Sequence, residues 1–487
     1  MSLFSKLKDK TLPVEVKASA AYTLCSILQR SLSFITLPLF TRLLTTEEYG
    51  QSTIYNSWMS ILVIFLTLNL PYGSFNTAMV KYEKNRDGYI SSINGLCTVF
   101  AAVFLFIVYL PFSTVWNKVF ELPTFMMVFM VVEALFNNAT QLWMGKQRFE
   151  FRYKKVIAVT LLTSIASPVL SFVLVINTHE KGYSRILGNS IITIVCGLVL
   201  YLRCLHNNSR RLYDKEFWKY ALSFNIPLIP YYLSQTIFNQ SDRIMISHMV
   251  GTDKAAIYGV GYSLALVLSF VLYSINNAYV PWFYGKLKEG KGTENRKISL
   301  YIALLMAVLL LGVIAAAPEI ILVMAGQKYK DAMWVVPPVA MSLLLLFYAQ
   351  LFINVEFFFE EKKLLVIATS GAALLNIALN YFCIKKFGFV AAAYTTLASY
   401  VVFAICNYFA YMKAAQHNGI KADMYNIKLL IVLFICFMVL GFAAMSLYKF
   451  VEIRYLIIAV VLTALFVNRK RIIGFVNSFR KQRTDFD

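Results

Sequence analysis

The sequence predicts an all-α integral membrane protein, and three observations support this fold class. The chain has 487 residues, of which 59% are hydrophobic and only 15% are charged, so it is too apolar to form one soluble core. Apolar runs of about 20 residues, the helix length that crosses about 30 Å of hydrocarbon, recur along the chain. Basic residues concentrate on alternate connecting segments. Together these features predict about fourteen transmembrane helices.

The apolar runs place the predicted spans one after another with short connections. They lie at residues 18–40, 52–74, 89–111, 120–144, 156–177, 186–203, 217–242, 255–282, 298–324, 332–359, 364–384, 388–412, 427–448 and 450–467. With a cytoplasmic N-terminus, the cytoplasmic segments carry 33 Lys and Arg and the outside loops carry 12. Cytoplasmic loops of membrane proteins are enriched in basic residues, so both termini are predicted to be cytoplasmic. No outside loop is predicted to exceed about a dozen residues.

A faint internal repeat predicts two halves. Thr41–Leu44 followed by Tyr49-Gly50 resembles Ser247–Val250 followed by Tyr258-Gly259, and six spans fit the offset. A substrate path between such repeats is a common arrangement in transporters. The predicted segments are a cytoplasmic N-terminal segment (1–17), a six-helix bundle (18–205), a cytoplasmic linker (206–216), a second six-helix bundle (217–412), two additional transmembrane helices (427–467) and a basic cytoplasmic tail (468–487).

Several function classes are disfavoured. The net charge of +21 follows the membrane topology, so no nucleic-acid partner is predicted. Seven cysteines without a CxxC pair and four scattered histidines offer no metal site, and no nucleotide-binding motif is present. We therefore expect a protein that is not an enzyme, with no cofactor or metal, driven by an H⁺ or Na⁺ gradient, the membrane potential or substrate mass action.

Polar stripes on the predicted spans mark candidate binding residues. An unpaired amide or carboxylate in hydrocarbon costs several kcal/mol, so such a stripe must face protein or a hydrated cavity. The seventh span, interrupted by Pro227 and Pro230, carries Asn225, Tyr232, Gln235, Asn239 and Asp242 at steps of three to seven residues. Asn277 and Asn354 lie on further polar stripes of spans 8 and 10. Such amides suit sugar hydroxyls, but hydrogen bonds between helices are an equal alternative.

Arg30 is the most informative single residue. It lies about 18 Å into the first span, near the bilayer centre. An arginine there costs about 3 kcal/mol or more unless it is paired or hydrated. One interpretation is a fixed charge that binds phosphate oxygens in a central cavity. The alternative is a structural ion pair with Glu133, which begins a stripe with Asn137 and Gln141 and is also a candidate proton carrier.

Three charged residues are predicted near the outer ends of their spans. Asp242 and Arg243 end the seventh span, and Arg42 ends the first, at a position equivalent to His248. Gating or architecture is favoured over substrate contact for this group.

The whole chain resembles the bacterial polysaccharide flippases, the Wzx-type O-antigen and capsule repeat-unit transporters of the multidrug/oligosaccharidyl-lipid/polysaccharide (MOP) superfamily. The resemblance rests on Leu37–Leu39, Thr45–Gly50, Asn225–Pro227, Asp242–Met245 and Gly251–Gly259. It implies two six-helix bundles around a V-shaped cationic cavity in a bacterial inner membrane. It also implies alternating-access transfer of an undecaprenyl-diphosphate-linked oligosaccharide to the outer leaflet in surface polysaccharide biosynthesis, beside a polysaccharide polymerase and a chain-length regulator. Arg30, with Arg42 or Arg243, would then supply the cavity cations.

Alternative functions make different demands on the sequence. A cation-coupled drug exporter of the same superfamily should favour cavity carboxylates, against which Arg30 argues. A lipid II-type flippase would share most of the chemistry. A membrane polysaccharide polymerase or ligase usually needs a large outside loop, which the predicted topology lacks. A structural membrane scaffold is a further alternative.

Substitution of Arg30 tests whether its charge supports transport. We expect Arg30→Lys to retain part of the surface polysaccharide and Arg30→Ala to abolish it, because only the former keeps a cation at this depth. The measurement is surface polysaccharide in cells that express each variant at the wild-type protein level. Full export by Arg30→Ala would exclude the role.

Overall fold

The computed structural model of the protein describes residues 14–207, 211–361 and 363–456. Within these ranges every regular element is helical, and eleven helical segments are long and apolar enough to cross a membrane. The prediction of an all-α membrane protein is thus confirmed. Residues 1–13, the part of the last predicted span beyond residue 456 and the predicted tail 468–487 lie outside the described residues.

The first half of the described chain forms eight α-helices. They are α1 (Val14–Leu43), α2 (Thr46–Thr67), α3 (Phe75–Lys81), α4 (Arg86–Val103), α5 (Ser113–Phe120), α6 (Thr124–Phe149), α7 (Tyr153–Asn177) and α8 (Lys181–Asn207). The start of α2 is fixed by a reciprocal cap, since the Thr45 hydroxyl accepts from the Glu48 amide and the Glu48 carboxylate accepts from the Thr45 amide. A sharp turn therefore separates α1 from α2.

The second half of the described chain forms ten α-helices. They are α9 (Lys215–Asn225), α10 (Ile229–Met249), α11 (Thr252–Ala265), α12 (Val267–Lys288), α13 (Asn295–Ala315), α14 (Ala317–Met324), α15 (Val336–Phe358), α16 (Lys363–Phe387), α17 (Ala391–His417) and α18 (Ile427–Ser446). Helices α11 and α12 follow one another directly and make one long apolar segment.

The seventh predicted span is broken in the middle. A short 3₁₀ turn, Ile226–Leu228, separates α9 from α10. Proline has no N–H to donate to the preceding turn, and Pro227 and Pro230 occupy this turn and the start of α10. Helix α9 packs against α4 of the first half, and α10 packs against α2 of the first half as well as α16 and α11 of the second. The bend that the sequence predicts at Pro227 and Pro230 within residues 217–242 is therefore observed, as a 3₁₀ turn that divides the span into two helices.

The connection between α13 and α15 is longer than predicted. The sequence predicts spans at residues 298–324 and 332–359, whereas α13 ends at Ala315 and α15 begins at Val336. Between them lie α14, with Pro318 in its first turn, and a 3₁₀ segment, Gln327–Trp334. Because α14 packs on α1 and the 3₁₀ segment on α11, the connection covers this end of the bundle without forming a separate domain.

Two long helices, α2 and α10, are not among the eleven apolar segments. Both are rich in Ser, Thr, Asn, Gln and acidic residues. They pack against each other, and α2 also packs against α11. The polar helices thus occupy the junction between the two halves, where their side chains are shielded from lipid.

The repeated Tyr-Gly pairs lie where α2 crosses α11. A Cβ on Gly50 would come within 2.3 Å of the Thr252 carbonyl oxygen, and a Cβ on Gly259 within 3.0 Å of Thr53. Each repeat thus places its glycine against a threonine of the other. This reciprocal contact explains why the sequence pattern recurs, because only glycine permits the close approach of the helices.

Replacement of Gly50 tests this contact. We expect Gly50→Ala to lower the free energy of unfolding by about 1–3 kcal/mol, because the added methyl meets backbone that cannot rotate away. Stability would be measured by titrating the purified protein in mixed micelles with a denaturing detergent. Gly371→Ala is the control, since a Cβ there meets nothing within 4 Å. Equal stability of the two variants would contradict the packing argument.

Candidate functional site

A cavity of about 870 Å³ with many polar lining residues opens within the first half. Its wall comes mainly from α1, α6, α7 and α8, each of which presents one polar stripe. The polar lining residues are Tyr22, Ser26, Gln29, Thr36, Asn56, Tyr72, Asn137, Thr140, Gln141, Arg148, Thr160, Thr163, Ser164, Ser167, Asn189 and Thr193. The volume falls within the range of about 300–1,000 Å³ usual for ligand sites.

The polar part of this wall is mostly uncharged. It offers ten hydroxyls, five amides and one guanidinium, beside apolar residues such as Val156, Val159 and Pro168, and no carboxylate is among the described lining residues. Hydroxyls and amides both donate and accept hydrogen bonds, so they match a ligand rich in hydroxyl groups. The wall therefore suits a neutral or anionic polar ligand better than a cation.

A second cavity of about 470 Å³ adjoins the first at the predicted cytoplasmic end. The two share Tyr72, Gln141 and Arg148, and the second adds the rings of Phe149 and Phe151. The Arg148 side chain is exposed. It places a positive charge where a ligand would pass from one cavity into the other.

A small pocket of about 240 Å³ lies at the junction of the halves and contains two arginines. Asn56 lines both this pocket and the main cavity. The Arg185 guanidinium lies 4.0 Å from the centre of the Tyr49 ring, and that of Arg243 lies 4.4 Å from the Tyr262 ring. No carboxylate is among the lining residues in the described ranges. The pocket is consequently electropositive.

Two polar atoms of this arginine pocket have no protein partner. Nη1 of Arg185 and Oγ of Ser52 are buried without a hydrogen bond. By contrast, Arg243 donates to the Asn239 carbonyl at 2.9 Å and to the Gln240 side chain at 2.8 Å. Since buried polar groups normally have partners, the free donors of Arg185 and Ser52 favour an anion or ordered water here.

The predicted residues of the first half are placed as follows. The side chain of Arg30 lies outside the described residues, although its helix presents Ser26 and Gln29 to the main cavity. Asn137 lines that cavity. The Glu133 carboxylate, one turn away, accepts hydrogen bonds from Tyr55 at 2.7 Å and Ser190 at 2.6 Å.

The stripe predicted on the seventh span is divided by the break. Asn225 is fully buried and donates to the Ser74 hydroxyl at 2.8 Å, which ties α9 to the first half. Gln235 is exposed on α10, and Asn239 donates to the Gln235 carbonyl at 2.8 Å. None of these three side chains is part of the main cavity wall.

The amides predicted on spans 8 and 10 differ in their surroundings. Asn277 is exposed on α12. Asn354 is buried on α15 and donates to Asn276 at 2.9 Å. Asn354 thus makes the hydrogen bond between helices that the sequence left as an alternative.

The group predicted to act in gating or architecture separates into three environments. Asp242 is 1% exposed and accepts from Tyr258, from Asn380 at 2.6 Å and from Thr396 at 2.7 Å. This carboxylate therefore joins α10 to α11, α16 and α17. Arg243 faces the arginine pocket instead, while Arg42 is exposed and donates to the Val323 carbonyl at 3.3 Å.

The sequence analysis missed the polar stripe of α7 and two of the arginines. Thr160, Thr163, Ser164 and Ser167 repeat at helical spacing within a very apolar span. Their spacing indicates one polar face of the helix. Ser and Thr commonly hydrogen-bond to carbonyl groups of their own helix, however, so such a stripe does not by itself predict a cavity. Nothing in the sequence distinguishes Arg148 and Arg185 from the basic residues that set topology.

Contacts between the halves close the end that is predicted to face outside. The Thr41 hydroxyl donates to the Met324 carbonyl at 3.2 Å, and Lys328 donates to the Leu44 carbonyl at 3.3 Å. Nδ1 of His248 lies 3.1 Å from a Glu121 carboxylate oxygen across the junction of the halves. The main cavity extends toward the other end, so this conformation is closed at the predicted outer end.

The fold is similar to that of known membrane transporters. An inward-facing multidrug resistance MATE family transporter of the MOP superfamily superposes with a TM-score of 0.63 at 12% identity, covering 80% of this chain and 96% of that structure. The lipid II flippase MurJ, in an inward closed conformation, gives 0.57 at 13% identity, covering 90% and 99%. The class is therefore a multi-pass membrane protein with the MOP transporter fold.

Sequence comparison identifies the family. The polysaccharide biosynthesis protein family matches residues 16–285, more than half of the chain, and this protein belongs to it. An uncharacterized membrane protein of Haemophilus influenzae is 23% identical over 284 residues. That match covers 56% of this chain and 66% of the relative, so the chain spans about two thirds of its length. The predicted resemblance to MOP-superfamily polysaccharide transporters is confirmed.

Removal of one donor tests the Asp242 network. We expect Thr396→Val to lower the free energy of unfolding by about 1–3 kcal/mol, because it leaves a buried carboxylate one hydrogen bond short. The measurement is detergent-induced unfolding of the purified protein. Thr369→Val is a matched control, since the buried Thr369 hydroxyl bonds to the carbonyl of Leu365 in its own helix. Similar losses in both variants would argue against a structural role for the network.

Proposed function

We propose that this protein transfers an oligosaccharide linked to undecaprenyl diphosphate from the cytoplasmic to the outer leaflet of a bacterial inner membrane. The observation that carries the proposal is the main cavity, whose wall of hydroxyls and amides lies among helices that otherwise face lipid. Membership of a polysaccharide biosynthesis family supports a saccharide cargo. The transporter fold supports movement across the membrane by alternating access.

The cavity wall matches the saccharide part of this substrate. A sugar unit must exchange its water hydrogen bonds for others when it leaves the cytoplasm, and an unmet polar group costs about 1–3 kcal/mol. Side chains such as Asn137, Gln141 and Asn189 each offer a donor and an acceptor. Such side chains replace the hydrogen bonds that the sugar makes with water, and they do not require one particular sugar.

The arginines match the diphosphate part. Arg148 lies where the two cytoplasmic-end cavities meet, and Arg185 and Arg243 lie at the junction of the halves. Guanidinium groups bind phosphate oxygens through paired hydrogen bonds. These residues would receive the diphosphate at successive points, and Arg30 stays a predicted further cation.

The lipid part would remain in the bilayer. Helix α1 borders the cavity, yet only 12% of its apolar window is buried, and it packs mainly on α7. A polyprenyl chain beside α1 would stay in hydrocarbon while the head group crosses. The product would reach the outer leaflet, where a polymerase and a chain-length regulator would use it.

The lining bears differently on the two rival transport functions. A drug exporter for cations needs negative charge in its cavity, and the described wall has one arginine and no carboxylate. A lipid II-type flippase would need the same diphosphate and sugar contacts. The coupling ion, H⁺ or Na⁺, stays a prediction.

Neutral substitutions in the arginine pocket test the proposal. We expect Arg185→Gln and Arg243→Gln each to lower the flipping rate by about tenfold or more, because a hydrogen bond to a charged group contributes about 1.5–3 kcal/mol. The rate would be measured in proteoliposomes loaded with a short undecaprenyl-diphosphate saccharide, by its accessibility to an external lectin.

Arg203→Gln is the control for these variants. Arg203 is exposed on α8 and lies outside the lining of the three cavities. The control should flip at the wild-type rate. Absence of flipping by the wild-type protein, with a folded and monodisperse sample, would refute the proposed function.

A further inference from the structure

The contact between Glu121 and His248 places an oxygen atom beside each nitrogen of the imidazole ring. Nδ1 of His248 lies 3.1 Å from a Glu121 carboxylate oxygen, and Nε2 lies 2.9 Å from the Val119 carbonyl oxygen. Both ring nitrogens therefore face acceptors. A neutral imidazole carries one N–H and can donate to only one of them, whereas the protonated imidazolium donates to both.

The first half supplies a site that favours positive charge at this point. Val119 belongs to the last turn of α5, where carbonyl groups lack partners within the helix and the helix end is negative. The other Glu121 oxygen accepts a hydrogen bond from Ser247. The carboxylate thus bridges two neighbouring residues of α10.

The backbone at Glu121 supplies an independent observation. Glu121 caps α5 with φ of +54°, in the left-handed region that is usually occupied by glycine at helix ends. This conformation fixes the direction in which the Glu121 side chain leaves the end of α5.

Solvent reaches this contact. The His248 and Glu121 side chains are 33% and 28% exposed, and Glu121 lines a small cavity of about 190 Å³. Glu47 of α2 and Tyr183 of α8 line the same cavity. The charged residues nearest to this contact in the sequence are Lys118 on α5 and Asp253 on α11. Asp253 pairs with Lys254 at 3.4 Å.

We infer that Glu121, Val119 and His248 form a proton-dependent latch that holds the two halves together at this end of the protein. The latched state binds a proton on His248, and loss of that proton leaves one ring nitrogen facing an oxygen without a hydrogen between them. Acid therefore keeps this end closed, and rising pH releases it. The inference does not depend on the identity of the substrate.

The test is a distance measurement across this end as a function of pH. Spin labels at Lys118→Cys and Lys330→Cys, one on each half, would be introduced into a chain whose seven cysteines are replaced by alanine. In lipid nanodiscs we expect one short distance at pH 5 and a second, longer distance at pH 8. For a single proton the ratio of the two states changes by at most about tenfold per pH unit.

Three variants make the test specific. His248→Arg stays charged and can donate to both acceptors, so it should remain closed at both pH values. His248→Gln should lose the pH response. His417→Gln is the matched control, because His417 forms a 2.6 Å pair with Glu361 within the second half, and it should respond like the wild type.

Hydrogen exchange of the unlabelled wild-type chain provides a second measurement. Backbone amides around residues 117–123 and 245–252 should exchange faster at pH 8 than at pH 5 after correction for the intrinsic rate. A wild-type pH response in His248→Gln, or no opening of the wild type between pH 5 and 8 by either method, would overturn the latch. A negative flipping assay would count against the proposed function, but it would not change the outcome of these pH-dependent measurements.

Discussion

Hydrocarbon cannot solvate polar groups, and this constraint determines which helices lie where. Side chains that would be costly in lipid must meet one another or face water. The two most polar long helices, α2 and α10, accordingly lie between the halves, and the buried Asp242 is surrounded by donors from three other helices. Apolar helices such as α7 and α18 lie outside them, with few buried residues in their spans.

The two halves of the described chain use polarity differently. In the first half, polar stripes on four helices surround an open cavity. In the second half, polar side chains bond to one another across helices, as the Asn354 amide does to Asn276 and the Ser241 hydroxyl to Asn376. Polar groups thus line a cavity in one half and pair with other side chains in the other. An asymmetric substrate with a bulky polar head is compatible with such a division.

Much of the fold follows from local sequence features, whereas the site depends on contacts between distant segments. The length of the apolar runs predicts nearly every described helix, because a helix needs about 20 apolar residues to cross the bilayer. The Tyr49-Gly50 and Tyr258-Gly259 repeat marks the crossing of α2 and α11. The stripe of α7 was overlooked because Ser and Thr also occur on lipid-facing helices, and the environments of Asp242 and Asn225 could not be distinguished from spacing alone. Which neighbour satisfies a buried polar group is decided by tertiary packing.

The break at Ile226–Leu228 has a mechanical consequence. Asn225 secures α9 to the first half, while Asp242 and Ser241 secure α10 to the second. One membrane crossing is therefore shared between two bodies. Helix α10 has 21 residues and spans about 30 Å by itself, which puts the turn at the predicted cytoplasmic end. If the bodies rock against each other, this turn must bend, and α9 keeps that end of α10 tied to the first half.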